Sequence, residues 1–247
     1  MKRSWIFSIA VGCGCFLAAL FSKAQQTTVP ANVTDAKQIL SSILLQSGSV
    51  SGIHLAGTAR AIAGSTDEAG TFAYDIQADG TSQLQINAGV LSRNETTSPF
   101  NDHPRWTWSG KDKVEHESAG HNCLISLDWV LPAYAVVNRS ASLQITSAMG
   151  QPTTLEFRRT PAVGTPKWRQ SAANLSAVSL AVDPNTGYPT EVRFNLHPDD
   201  DASTNIPVRV LYSDYRQVNG ITLPFHIQKF LNNSLVLDLQ VESASSK

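Results

Sequence analysis

His103, His116 and His121 fall within a short span together with Asp102, Glu115, Glu117 and Asp128. These are the side chains with which the chain could hold a metal ion or move a proton. Their spacing works against convergence. His116 and His121 are five residues apart, which points them to opposite faces of a strand and off the four-residue ladder of a helix, so only a loop could bring them together. With Gly110 and Gly120 beside them they read as a polar loop rim, and a hydrolase or metal site over His103 to Asp128 ranks third among the functions considered.

Cys123 lies two residues from His121, which raises a Cys/His nucleophilic pair, but Leu124 and Ile125 follow it directly and favour an inert, buried thiol. The chain after its first two dozen residues has no Gly-x-Ser-x-Gly elbow, no His-Glu-x-x-His and no phosphate-cradling glycine loop. No catalytic residue, metal ligand or cofactor is therefore assigned, and a non-enzymatic role is favoured. His54 and His226, on probable strands, read as hydrogen-bonded or exposed residues.

The other functional candidates are apolar. Trp106 and Trp108 alternate on a predicted strand, while Trp129, Tyr134, Phe194, Tyr212 and Phe225 lie on apolar faces elsewhere. Leu124, Leu127 and Leu131 belong to an apolar stretch running from His121 to Val137 and interrupted by Pro132. All ten could line a ligand cavity, or simply fill a core. The stretch itself is expected to be helical up to a break at Pro132, with a buried strand as the alternative.

These residues need a scaffold, and the order of elements predicts one. Lys2 and Arg3 precede an almost wholly apolar run from Trp5 to Phe21, and Ser22-Lys23-Ala24 supplies small residues for cleavage, so residues 1–24 read as an export signal cut after Ala24. Retention as an N-terminal anchor and lipidation at Cys13 are the alternatives. Residues 25–33 read as a flexible leader and 34–247 as one β-rich domain. Thr34 looks like an N-cap to a helix with Ala36, Ile39, Leu40, Ile43 and Leu44 on one face, ending at Gly48.

Past Val50 the period becomes two. Phe72, Tyr74, Ile76 and Ala78 return as Leu84, Ile86 and Ala88 through Asp79-Gly80, expected as a type I′ turn. Val178, Leu180 and Val182 lead through residues 183–187 to Val192, Phe194 and Leu196. Val208, Val210 and Tyr212 continue to Asn219-Gly220, whose two-residue turn would pair Val218 with Ile221 and Tyr212 with Ile227. At the next turn a three-residue loop, Asn232-Asn233-Ser234, would pair Leu231 with Leu235 and Ile227 with Leu239, keeping apolar faces matched and placing Asn233 or Ser234 at positive φ. The opposite faces, with Arg193, Asn195, Arg209, Thr222, Gln228, Asp238 and Gln240, are polar, so the meander has a wet side. A sheet of eight to eleven strands must then curl and be covered on the other.

This layout resembles the LolA/LppX-like periplasmic lipoprotein and lipid carriers. Asp214-Tyr215-Arg216-Gln217-Val218-Asn219-Gly220-Ile221-Thr222-Leu223-Pro224-Phe225 is similar to the ending of secreted bacterial proteins grouped near that superfamily. The resemblance implies an α+β, mainly antiparallel β fold: one strongly curved sheet, an unclosed barrel, covered by about two helices over an apolar cavity. Their Pro-x-x-Phe-Arg-Trp type segment has no counterpart beyond Pro104-Arg105-Trp106, so the implied cargo is an apolar ligand in the broad sense rather than lipoprotein specifically.

Charge narrows the partners. Of 19 basic residues Lys2, Arg3 and Lys23 leave with the signal, so 16 face 20 acids, a net of about −4 that argues against nucleic acid. Only Cys123 would remain, excluding an internal disulfide. The expectation is an exported protein of the periplasm or cell surface whose partner is a lipid or a lipoprotein acyl chain; an envelope scaffold that binds another protein is the alternative.

Overall fold

A computed structural model of the chain describes residues 51–98, 105–125, 128–134, 144–148, 151–159 and 164–246. The export signal, the leader, the helix expected from Thr34, and Asp102, His103 and Leu127 lie outside them.

The described residues form one antiparallel sheet of 13 strands, β1(Gly52–Ala63), β2(Thr66–Gln77), β3(Ser82–Asn87), β4(Arg93–Ser98), β5(Arg105–Ser109), β6(Glu115–Glu117), β7(Gln144–Ala148), β8(Gln151–Arg158), β9(Val178–Val182), β10(Pro189–Leu196), β11(Ile206–Val218), β12(Ile221–Leu231) and β13(Ser234–Ser246). Their order in space is β6-β5-β4-β3-β2-β1-β13-β12-β11-β10-β9-β8-β7, so the two halves of the meander join where β13 pairs with β1. Among the described residues β6 and β7 are the edge strands, and the sheet is a curved, unclosed barrel. Among the described residues the sheet is accompanied by α1(Gly120–Cys123) and α2(Pro166–Leu175), with short helical turns at Gly89–Leu91 and at 132–134. The strands exceed the eight to eleven expected because β4 and β6 are short and polar and carry no alternation that the sequence could announce.

At the β1–β13 junction the ladder slips between Ala56 and Gly57. A Cβ on Gly57 would lie 2.0 Å from the Gln240 carbonyl oxygen, so only glycine admits this backbone approach.

The turns test the register. Asn219 and Gly220 both take positive φ, and Val218 pairs with Ile221 and Tyr212 with Ile227, as the apolar faces require. The β9–β10 hairpin likewise pairs Phe194 with Val178 and Val192 with Leu180. Two turns depart from expectation. Between β2 and β3 only Gly80 is at positive φ, Gly80 N–H donates to the Gln77 carbonyl and Gln77 pairs with Thr81, which makes a three-residue loop rather than a two-residue type I′ turn. Between β12 and β13 the turn is the two residues Asn232 and Asn233, pairing Leu231 with Ser234. A bulge at Lys229/Phe230 then supplies the one-residue shift that restores Ile227 opposite Leu239.

The apolar stretch from His121 is not one helix. It has a four-residue turn of helix at Gly120–Cys123, bends at 129–131, and helical backbone again at 132–134. The reason is Asp128, whose Oδ1 accepts from the backbone N–H groups of Val130 (2.8 Å) and Leu131 (3.1 Å) and so takes donors that a continuing helix would need. Pro132 opens the last helical turn, where its missing N–H costs nothing.

Candidate ligand-binding site

Cross-strand rows define the inner face. One row reads Leu55, Tyr74, Leu84, Glu95, Trp108, His116 across β1 to β6. Another reads Leu155, Leu180, Val192, Val210, Lys229, Leu237 across β8 to β13. Within the buried part of each row one charged residue interrupts the apolar series: Glu95 in the first and Lys229 in the second.

The two meet. Four strands separate β4 from β12 in the sheet order, and in a flat sheet five spacings of ~4.8 Å would hold Glu95 and Lys229 ~24 Å apart. Instead they act on each other across the inner face. Burial would push the Glu95 carboxyl up, but Lys229 and then Arg93 outweigh it, with help from the Trp106 and Trp129 indoles, and hold the group below the ordinary glutamate value. Burial pushes the Lys229 ammonium down, against the opposing pull of Glu95. Arg93 Nε lies 2.7 Å from Glu95 Oε1, and its guanidinium sits 4.6 Å from the centre of the Trp108 ring. Lys229 Nζ sits 4.0 Å from the centre of the Trp129 ring, so each cation is flanked by an aromatic face.

Over this face lies the segment Asp128–Tyr134, which buries Trp129, Val130, Leu131 and Tyr134 in the core. Two hydrogen bonds pin it. Ser82 Oγ donates to Asp128 Oδ2 and Tyr212 OH donates to the Trp129 carbonyl, both at 2.5 Å. The Tyr212 phenol is pushed well up by burial and stays protonated as the donor. Beside the segment opens a cleft of about 460 Å³, its mouth included, lined by Ile53, Leu131, Pro132, Ala133 and Tyr134 on one side. Tyr188, Pro189, Tyr215, Ile221, Leu223 and Pro224 line the other. The rings of Tyr188 and Tyr215 stack at 4.7 Å, and Tyr215 OH donates to the Pro189 carbonyl, fixing that wall.

Of the residues the sequence offered as ligand lining, Leu131 and Tyr134 reach this cleft. Trp129, Phe194, Tyr212 and Phe225 are packed in the core cluster, Trp106 and Trp108 are half-buried beside Glu95, and Leu124 is half-buried next to α1. The sequence reading missed Glu95, Arg93, Lys229 and the Tyr188/Tyr215 wall. Lys229 is in phase with Ile221, Leu223, Phe225 and Ile227, and that phase was the available signal. Glu95 had none, for Arg93-Asn94-Glu95-Thr96-Thr97-Ser98 is polar throughout.

The described part of the histidine-bearing segment does not assemble. His116 stacks on Trp108 with ring centres 4.3 Å apart, while the His121 ring nitrogen lies 3.1 Å from the Pro198 carbonyl. Glu117 pairs with Arg105, and Asp128 is inside the fold. Among the described residues no three such side chains could hold a metal ion. Cys123 is buried, with its thiol pushed up by burial. His54 lies 2.9 Å from Asp75, and His226 lies 2.9 Å from Asp238 and 3.3 Å from Ser213 Oγ on the wet face. Among the described residues no helix is long and apolar enough to cross a membrane.

No protein-family model matches the chain, and no curated protein matches it in sequence. Solved structures do match in fold. A LolA superfamily protein from Nitrosomonas europaea superposes with a TM-score of 0.53 at 11% identity, over 86% of this chain and 94% of that one. A DUF1329 family protein from Desulfovibrio piger gives 0.54 at 8% identity, over 86% and 93%. A domain described as an outer membrane lipoprotein-sorting protein, from Vibrio parahaemolyticus, gives 0.53 at 7% identity, over 86% and 93%. With its unclosed antiparallel sheet and covered inner face, the chain has a LolA-like fold.

Proposed function

We propose that the protein is an exported envelope carrier that takes up the apolar chain of a lipid or lipoprotein between its curved sheet and the Asp128–Tyr134 segment. The observation that carries this reading is that the segment covering the inner face is held by a few identifiable hydrogen bonds and already borders an open apolar cleft. A cover fastened in this way can lift, and each chain methylene that moves from water to the face beneath it contributes about 0.8 kcal/mol. The solved structure described as a lipoprotein-sorting domain supports the same class of cargo. Ligand contacts are assigned to Leu131 and Tyr134 at the mouth and, once the cover lifts, to Trp106, Trp108, Trp129, Tyr212, Phe194 and Phe225.

Uptake of a fluorescent fatty acid is the test. Leu131→Asp in a folded protein is expected to lose uptake at least tenfold; unchanged uptake would remove the cover from the mechanism.

A non-enzymatic module that binds another envelope protein is the second reading. It is favoured by the close packing of Phe194, Tyr212 and Phe225 in the core, which leaves them no free surface while the cover is down.

A further inference from the structure

From Phe157 to Val182 the chain carries Arg158, Arg159, Lys167 and Arg169 and no acid, although the whole chain has a net charge of −1. This stretch holds the end of β8, helix α2 and β9. Hydrogen bonds gather its two parts: Arg158 donates to the Asn174 side chain and Arg159 N–H to Ser176 Oγ, tying the end of β8 to the end of α2. At the other end of α2 Lys167, Trp168 and Arg169 are all exposed.

Trp168 is the telling residue. It is 47% exposed, whereas the other large aromatic side chains among the described residues are buried or half-buried. Its exposed pose is also built. Thr165 caps the helix by accepting from Trp168 N–H at 3.2 Å. The indole lies against Gly164, where φ is +116 and an added Cβ would come within 2.4 Å of Trp168 Cδ1, so this position accepts glycine alone. Arg158 also borders an open groove of about 940 Å³ with Arg193, Asn195 and Arg209. Its three arginines outnumber the two carboxylates that pair with them, Glu156 and Glu191. An indole fixed half in water, flanked by two free cations and backed by more, matches the interface of an anionic bilayer, where the ring sits among head groups and the cations meet phosphates.

We propose that α2 and the adjoining end of β8 form a docking surface for anionic phospholipid membrane, with Trp168 seated at the head-group level and Lys167, Arg169, Arg158 and Arg159 facing the lipid phosphates. The surface does not depend on the carrier reading, since none of its residues lines the cleft.

The test is co-sedimentation of protein recovered from the envelope fraction with vesicles of phosphatidylcholine plus phosphatidylglycerol and with vesicles of phosphatidylcholine alone. Wild type and variants are recovered in the same processed form, so any retained apolar start of the chain contributes equally to both. Binding to the anionic vesicles in excess of the neutral ones is expected, weakening with salt. Lys167→Gln with Arg169→Gln, both exposed and free of core contacts, is expected to lower that excess by on the order of 20-fold. Tryptophan emission should shift to the blue on anionic vesicles in the wild type and much less in Trp168→Phe. No excess on anionic vesicles, or an excess unchanged in the double variant, would overturn the proposal and leave the patch to an acidic protein surface.

Discussion

Glu95 on β4 and Lys229 on β12, with four strands between them in the sheet, interact across its inner surface with Trp129 of the cover beside the ammonium. The pair therefore joins three parts of the fold: the N-terminal half of the meander, the C-terminal half, and the segment laid over both.

Removing one partner leaves the other charged and enclosed. Lys229→Met is expected to destabilise the fold by about 2 to 4 kcal/mol, and Lys229→Met with Glu95→Gln by about half as much, because the double variant leaves only the half-exposed Arg93 without its partner. Urea denaturation of the two singles and the double measures the coupling; strictly additive losses would mean the pair does not interact.

The pH dependence has a definite sign. Glu95 titrates below its ordinary value of 4.5 in the folded chain, so the unfolded chain binds its proton first as pH drops. Its contribution is complete above the ordinary value and is lost as pH falls through the folded one. Lys229, pushed below 10.5, works in the alkaline range: the unfolded chain keeps that proton longer, so stability rises with pH there. Denaturant midpoints in mild acid should fall more steeply in the wild type than in Glu95→Gln.

Tyr212→Phe removes the bond to the Trp129 carbonyl and leaves a buried acceptor unpaired, which should cost about 1 to 3 kcal/mol. The variant keeps the ring in the core, so the loss should fall on the cover. Hydrogen exchange is expected to speed up at Val130 and Leu131 and to stay unchanged at Val210 and Leu239.

Asp128→Ala deletes the acceptor for Val130 N–H, Leu131 N–H and Ser82 Oγ together, at an expected cost of about 2 kcal/mol. Ser82→Ala removes one of the three and should cost about 1 kcal/mol. If covering is what limits ligand exchange, release of a bound fluorescent fatty acid should be faster in both, and fastest in Asp128→Ala.

How far these features could be read in the sequence varied with their physics. The Asn219-Gly220 turn and the facing apolar residues Tyr212 and Ile227 set the β11–β12 register without ambiguity, because a slip would put every side chain on the wrong face. The β12–β13 register was readable at Ile227 and Leu239 but its route was not, since a tight turn plus a bulge gives the same far pairing as a longer loop. The cover was misread as helix because composition cannot tell that Asp128 will spend its carboxylate on the backbone N–H groups of its own segment. Glu95 was invisible, since a polar strand gives no period from which an inward residue could be picked out.

Native mass spectrometry with organic extraction, on protein purified from the bacterial envelope without detergent, tests the carrier role most directly. A stoichiometric lipid-sized mass is expected, retained by wild type and reduced in Leu131→Asp. A clean unliganded mass that persists after incubation with lipid would contradict the carrier and leave the inner face as a packed core.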